Sequence, residues 1–408
     1  MAKTPEDKLN QKLVKHLFKE QYFTDKRIGR AFINTPRRFF VPDTPLELVY
    51  LDQVIPTKYD ADKRPISSSS QPAMMAIMLE QLAIEPGMNV LEIGAGTGFN
   101  AGLMADLVGS TGHVTTLDID EDLVRNAYAH LQAAGVRNVT VVQTDGMYGY
   151  EANAPYDRII LTVSAADIAT AWFDQLKDGG RLLLPLSLNG PQKSIAFEKR
   201  GPYLRSYSIQ NCGFMTLRGE MANNSTLDIV LSDPAEGEGL RLNIPADVAV
   251  DAQQLLEWVT HPAEKWETGV STTSKEIWSS FSLWLALSES QICHLETAEA
   301  WYHHPHIPKL LHFTASNKPM ALTFGIIDEG GLALLSNSGS QEMPLHLEIS
   351  TYGNPAPAQR LLAQVEAWNE AQRPSTEQLH IDAYPHPTQP PPLKDAHILE
   401  RPFTTFVI

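Results

Sequence analysis

A chain of 408 residues, 43% of them hydrophobic, is too long for one ordinary core, and a net charge of −16 denies it the basic footprint that a phosphate backbone requires, which argues against DNA or RNA as its main partner. The charge is uneven: residues 1–220 hold 23 Lys and Arg against 25 Asp and Glu, whereas residues 221–408 hold 9 against 23, with six of the seven tryptophans and ten of the thirteen histidines. Two domains of different kind, 1–220 and 221–408, are therefore expected. No apolar run approaches the roughly eighteen residues of a membrane span, and the polar start Met1–Glu6 has no apolar leader pattern, so a cytoplasmic protein with no membrane partner is expected. The two cysteines, Cys212 and Cys293, cannot make a disulfide framework and have no metal-ligand spacing; both read as buried thiols, and no metal site is expected.

Residues 5–22 place Leu9, Leu13, Leu17 and Phe18 at helical spacing, which predicts an amphipathic helix. The arginines of Arg27–Arg30 and of Arg37-Arg38-Phe39-Phe40-Val41-Pro42 suit a solvated helix face, and residues 43–66 read as loop with short strand pieces. Four serines, Ser67–Ser70, precede Gln71-Pro72; on spacing alone they are a turn, with Ser70 placed to cap a helix over 72–82. The methionines of that helix, Met74, Met75 and Met78, read as core.

From residue 88 to 186 strand and helix alternate: strand 88–93, helix 98–108, strand 113–118, helix 121–134, strands 139–143 and 157–163, helix 166–176 and strand 180–185. In such sheets ligands sit at the carboxyl ends of the strands, where Gly94–Gly98, Asp118, Asp145-Gly146 and Thr162-Val163-Ser164 all fall. A lone glycine turn is weak evidence, since many strand-to-helix turns need glycine for packing alone. Here a second strand ends at Asp118, at about the interval that carries an acid to a ribose, and a carboxylate there can accept from both hydroxyls. The glycines are Gly94, Gly96 and Gly98, a G-x-G-x-G spacing with Phe99 where the dinucleotide fingerprint has its last glycine, which argues against a pyrophosphate on the helix N-terminus.

With Glu92 two residues upstream, this pattern resembles the first motif of the S-adenosylmethionine-dependent methyltransferases, in which the acid helps to hold the methionine end of the cofactor. Residues 27 to about 186 resemble the protein-L-isoaspartate O-methyltransferase family more specifically, through Arg37–Pro42, Ser70-Gln71-Pro72, Val90–Gly98, Asn138–Val142, Asp145-Gly146, Pro155–Ile160 and Leu176–Leu182. The resemblance implies a doubly wound, Rossmann-like class I methyltransferase sheet. It implies S-adenosyl-L-methionine as cofactor, held by Glu92, Gly94, Gly96, Thr97, Gly98 and the ribose acid Asp118, with Asp145 and Gly146 bordering the adenine. It implies Ser70 and Ser68 facing the acceptor carboxylate of an isoaspartyl or aspartyl residue in a protein or peptide, whose ester then closes to a succinimide. Ser68-Ser69-Ser70 replaces the family's usual Thr-Ile-Ser, and Pro185-Leu186-Ser187 replaces its Pro-Val-Gly.

The remaining stretch reads as a second, smaller α/β domain: an aromatic segment Trp278–Leu287, apolar runs 321–327 and 331–335, a helix over 358–371, a Pro-rich loop 385–392 and a final strand 403–408. Pro305 breaks helical spacing in Trp301-Tyr302-His303-His304-Pro305-His306, which reads as a surface loop. This half is similar to extensions on isoaspartate-type methyltransferases that modify dedicated peptides, and a role in recruiting the acceptor is expected from its aromatic and acidic composition. Two alternatives stand beside repair-type methylation: modification of a normal Asp in a dedicated precursor peptide, and a non-catalytic peptide-binding module that keeps the cofactor fold.

Overall fold

The structure, a computed structural model, describes residues 4–61, 64–222, 225–231, 239–315, 318–339, 344–392 and 396–408; Met1 to Lys3 of the polar start lie outside the described residues. The chain divides into two compact units, one made of residues 1–187, 192–222 and 380–408, the other of residues 188–191 and 223–379. One crossing between the units, after residue 222, lies near the boundary expected at residue 220. The chain returns to the first unit at His380, because three strands near its end complete that unit's sheet.

The first unit begins with helices α1 (Pro5–Lys19), α2 (Lys26–Asn34) and α3 (Leu46–Val49), then strands β1 (Ile55–Tyr59) and β2 (Pro65–Ser69), which form a separate hairpin, and helix α4 (Pro72–Leu82). A doubly wound segment follows: β3 (Asn89–Ile93), α5 (Phe99–Val108), β4 (His113–Asp118), α6 (Glu121–Ala133), β5 (Val139–Gln143), β6 (Tyr156–Leu161), α7 (Thr170–Gln175) and β7 (Leu176–Ser187). Strands β8 (Gln192–Arg200) and β9 (Tyr203–Asn211) turn back antiparallel. The last elements of the chain, numbered after those of the second unit, are β18 (Asp382–Pro385), β19 (Ile398–Glu400) and β20 (Thr404–Val407). The ten strands run in the order β19-β20-β18-β9-β8-β7-β6-β3-β4-β5, parallel from β7 to β5 and antiparallel elsewhere. Ile93 is in register with Leu117 on one side and Leu161 on the other, so three strand ends converge at one point. Leu13, Leu17, Ile28, Phe32, Leu79, Leu82, Leu103 and Met104 pack the helices over one core.

Three expectations change. The serine run is strand and not a turn, since Ser67, Ser68 and Ser69 pair with Lys58, Pro56 and Ile55. Helix α7 is shorter than 166–176 at both ends: Ala165, just before the expected start, is extended and bridges Leu186, the helix begins only at Thr170, and Leu176 pairs with β6. Arg37 is 1% exposed, in a 3-10 turn, and belongs to no solvated face; Arg38 remains half-exposed and pairs with Glu6 at 2.6 Å.

The second unit holds β10 (Thr226–Val230), β11 (Leu240–Pro245), α8 (Ala252–Thr260), β12 (Glu264–Thr272), α9 (Ser274–Glu276), a π-helical turn Ile277–Phe281, α10 (Ser282–Ser288), β13 (Ile292–Thr297), α11 (Glu299–Tyr302), β14 (Leu311–Ala315), β15 (Lys318–Ile327), β16 (Gly331–Asn337), β17 (Leu345–Gly353) and α12 (Ala356–Glu370). Its sheet is antiparallel, in the order β10-β11-β13-β15-β16-β17-β12, with β14 on β15. Alternation explains why β16 is apolar from Leu332 to Leu335: Ala333 and Leu335 join a core with Trp368 and Phe281, while Leu332 and Leu334 join another with Leu255 and Val259. Among the described residues no helix is long and apolar enough to cross a membrane.

The return strands are integral to the first unit. Phe406 is fully buried, Phe403 N donates to Asp167 Oδ2 at 2.7 Å, and Arg205 pairs with Asp382 at 2.7 Å. Phe406→Ala should cost about 3–5 kcal/mol in urea unfolding, and a chain ending near Glu220 should lose the cooperative transition of the first unit.

Candidate functional site

The convergence of β3, β4 and β6 opens a cavity of about 360 Å³, within the ordinary range for a small-molecule site. Its walls include Gly94–Thr97, Asp118, Gly146 and Thr162, with Ile93, Leu117, Leu123 and Ile160 as apolar faces. The turn after β3 must be glycine at its first position: Gly94 has φ +103°, and a Cβ there would stand 2.6 Å from Thr162 Oγ1. The turn is held by Gly94 N and Ala95 N, which donate to Leu117 O at 2.9 and 2.8 Å. Asp118 then fixes its crest, since Gly96 N donates to Asp118 Oδ2 at 3.0 Å. Asp120 N donates weakly to Oδ1 at 3.3 Å, and a carboxylate with about four acceptor positions keeps capacity for a ligand. Burial raises the Asp118 carboxyl above its usual range, and these backbone donors oppose the rise.

On the other side of the cavity lies the end of β2. Ser67, Ser68, Ser69 and Ser70 all line it, and the position of a Cβ on Gly96 would be 3.4 Å from Ser68 O, so serine strand and glycine turn face each other closely. Arg37 holds the strand there. Its Nε donates to Ser69 Oγ at 3.1 Å and its Nη2 to Ser69 O and Ser70 O, each at 3.0 Å, while Val49 O, Leu51 O and Gln53 O accept its other bonds at 3.1 to 3.3 Å. Burial lowers its guanidinium to about 10, still protonated at neutral pH. Ser70 does not cap α4: the N-cap is Gln71, without a side-chain bond, and Asp52 Oδ1 instead accepts from Ala73 N at 2.8 Å. Ser70 Oγ is thus not required for the helix start. Met74, Met75 and Met78 are core residues that also line this cavity.

Three residues expected among the cofactor ligands do not line the cavity. Gly98, at φ +84°, is packed against α6, where a Cβ would stand 3.2 Å from Ala127 O. Glu92 is fully buried behind the turn and does not line the cavity; Thr116 Oγ1 donates to its Oε2 at 2.6 Å and Asn100 Nδ2 to its Oε1 at 2.8 Å. Burial pushes its carboxyl up to about 7. Asp145 likewise directs its carboxylate away, accepting from Met147 N at 2.9 Å and Glu220 N at 2.8 Å. Its neighbour Gly146 does line the cavity, and a Cβ there would meet Ile93 Cγ2 at 2.4 Å. Sequence reasoning missed Asp52, the buried role of Arg37, and the segment Asn211–Arg218, which forms the remaining wall. It also missed the charges at the rim: Lys58 Nζ bridges Asp120 at 2.8 Å and Asp122 at 2.6 Å, and Arg218 binds Asp120 at 2.8 Å. Only the Asp118-Ile119-Asp120 spacing after β4 hinted at the last of these.

A glycine turn at a parallel strand end, an acid closing the next strand and an apolar slot between them suit a nucleoside joined to an amino acid. These features define an S-adenosylmethionine-dependent methyltransferase. Residues 7–222 match the family described as Protein-L-isoaspartate(D-aspartate) O-methyltransferase (PCMT). The chain belongs to that family. It is 37% identical over 207 residues to the protein-L-isoaspartate O-methyltransferase of Thermotoga maritima, covering 50% of this chain and 65% of that one, just under two thirds of its length. It is 36% identical over 219 residues to that of Hyperthermus butylicus, covering 52% of this chain and 88% of the relative. A solved structure titled protein-L-isoaspartate O-methyltransferase is 25% identical with a TM-score of 0.51, covering 91% of this chain and 96% of its own. At that coverage the likeness to that structure continues beyond residue 222.

Asp118→Ala should weaken S-adenosylmethionine binding by about 1–3 kcal/mol in calorimetry, through loss of charge-assisted hydrogen bonds. Because folding raises the Glu92 carboxyl from 4.5 to about 7, its contribution to stability is complete below about pH 4.5 and is lost as pH rises through about 7. Glu92→Gln should remove that slope, so urea midpoints at low and high pH should show the variant gaining up to about 3 kcal/mol on wild type at high pH.

Proposed function

We propose that the protein transfers the methyl group of S-adenosyl-L-methionine to the carboxylate of an L-isoaspartyl residue in a protein or peptide. The observation that carries this reading is the opposition of the serine strand and the glycine turn across one cavity. Asp118 would hold the ribose, the Gly94–Thr97 turn the methionine end, and Gly146 the edge of the adenine. The cofactor supplies an electrophilic methyl on a sulfonium. The acceptor needs no general base, since a carboxylate with a pKa near 4 is already ionised at neutral pH. Catalysis then rests on alignment, and on keeping the acceptor's second oxygen in place with a neutral donor that leaves its nucleophilicity intact.

Ser70 suits that role: it lines the cavity, its backbone is fixed through Arg37, and its hydroxyl carries no capping duty. Cys212 also lines the cavity, but burial pushes its thiol up to about 12, so it offers no competing nucleophile at neutral pH. The methyl ester is a better electrophile than the carboxylate, and attack by the next backbone nitrogen on its carbonyl closes a succinimide as the bond to the methoxy oxygen breaks and methanol leaves. A cytoplasmic setting suits substrates that are ageing intracellular proteins.

Labelled cofactor with paired isoaspartyl and aspartyl peptides tests the reading. Base-labile label on the isoaspartyl peptide alone is the expected result; label on the aspartyl peptide alone would favour modification of normal Asp, and label on neither would overturn the assignment. Ser70→Ala should lower kcat about 10- to 100-fold, the size of one lost hydrogen bond to a charged group, with cofactor affinity nearly unchanged and a stability loss under about 1 kcal/mol.

A further inference from the structure

The methyl-transfer reading makes no use of a second cavity, of about 660 Å³, in the other unit. Its wall includes Lys265, His303, His304, His306, Lys309 and His312. Among the described residues no carboxylate lines it, although acids outnumber Lys and Arg 23 to 9 in residues 221–408. We propose that this cavity binds a small oxyanion of two or more negative charges, of the phosphate or polycarboxylate kind, through imidazole and ammonium donors.

The local sequence builds such a donor set. Helix α11 ends at Tyr302, and Pro305 and Pro308 prevent its continuation, so the three histidines of the loop do not follow a helical spacing. His306 N makes only a long contact to His304 Nδ1, at 3.4 Å, and an imidazole carries at least one N–H in either protonation state, so His304 can donate to a ligand. Lys309 Nζ donates to His304 O at 2.8 Å and Ile307 O at 2.9 Å, two of the three bonds an ammonium can make. Lys265 is largely occupied, by Glu348 at 2.6 Å, Ser350 at 2.8 Å and Ser336 at 3.2 Å, and contributes mainly position. His312 Nδ1 is 2.9 Å from Tyr302 Oη.

A cation is the wrong ligand. Among the described residues no group of three or more His, Cys, Asp or Glu could hold a metal ion. The positive groups instead disfavour one another's protonation: burial lowers His304, with His306, Lys309 and His261 adding to the effect, and burial followed by Lys309 lowers His312. Burial also lowers Lys309. The nearby titratable groups are otherwise engaged, His261 with Glu257 O at 2.7 Å, His346 with Ser271 Oγ at 2.8 Å and Glu348 with Lys265. An anion among these groups reverses the balance by favouring their charged forms, so its binding takes up protons and tightens as pH falls.

Calorimetric titration of the full chain with sulfate, whose charge is constant across the range, at about pH 6 and about pH 8 and matched ionic strength isolates the protein's own titration. One saturable site per chain, about tenfold tighter at the lower pH, is expected. A parallel titration with citrate separates a tetrahedral oxyanion from a carboxylate ligand by which of the two binds more tightly. The double variant His304→Gln with His306→Gln, and separately Lys309→Met, should weaken the favoured anion about tenfold at the lower pH, and the double variant should also flatten the pH dependence. His306 is exposed, so His306→Gln alone serves if the others fail to fold, with a weaker loss expected. No saturable binding of either anion, or binding that the folded variants leave unchanged, would overturn the proposal.

Discussion

One buried cation fixes the geometry of the candidate active site. Arg37 presents a rigid fork of donors that no lysine could reproduce, and backbone carbonyls from residues 49, 51, 53, 69 and 70 converge on it. Without it the buried carbonyls of Val49 and Ser69 would lose a charged partner, and the cation itself is tolerated in the interior because so many dipoles face it. The loop after α3 and the end of the serine strand are therefore placed by the same group, and the wall opposite the glycine turn depends on it.

The glycine turn is fixed by different means. Its backbone donors are satisfied by the neighbouring strand and by Asp118, so the acid proposed to hold the ribose is also the acid that sets the height of the turn. Behind it, Glu92 joins Thr116 and Asn100 in a buried cluster that braces β3, β4 and α5 from within. A side chain expected to touch the cofactor is thus bonded within the fold, behind the turn. Asp145 is likewise bonded to the segment at Gly219 and Glu220, whose approach leaves no room for a Cβ at residue 219.

Much of this was legible in the residues. Short apolar runs ending in glycine or acid located β3 and β4, because central parallel strands buried on both faces leave an apolar block between turn signals. The serine run was misread because a strand of an isolated hairpin, with small polar residues on both sides, has neither alternation nor apolar length to reveal it. Arg37 was misread for a related reason: periodicity registers where a side chain points along a helix, and nothing in it records six acceptors arriving from elsewhere in the chain.

The sequence by itself determined the doubly wound order, the cofactor-side turn and the family, since these depend on local patterns and on residues near one another in the chain. Tertiary structure alone decided which carboxylates face the cavity and which are turned inward, because that depends on donors contributed by Thr116, Asn100 and Glu220 across the fold. It also decided that the chain's last strands complete its first sheet. Edge pairing of β18 with β9 joins residues nearly two hundred positions apart, and hydrogen bonds between strands carry no signature in either strand alone.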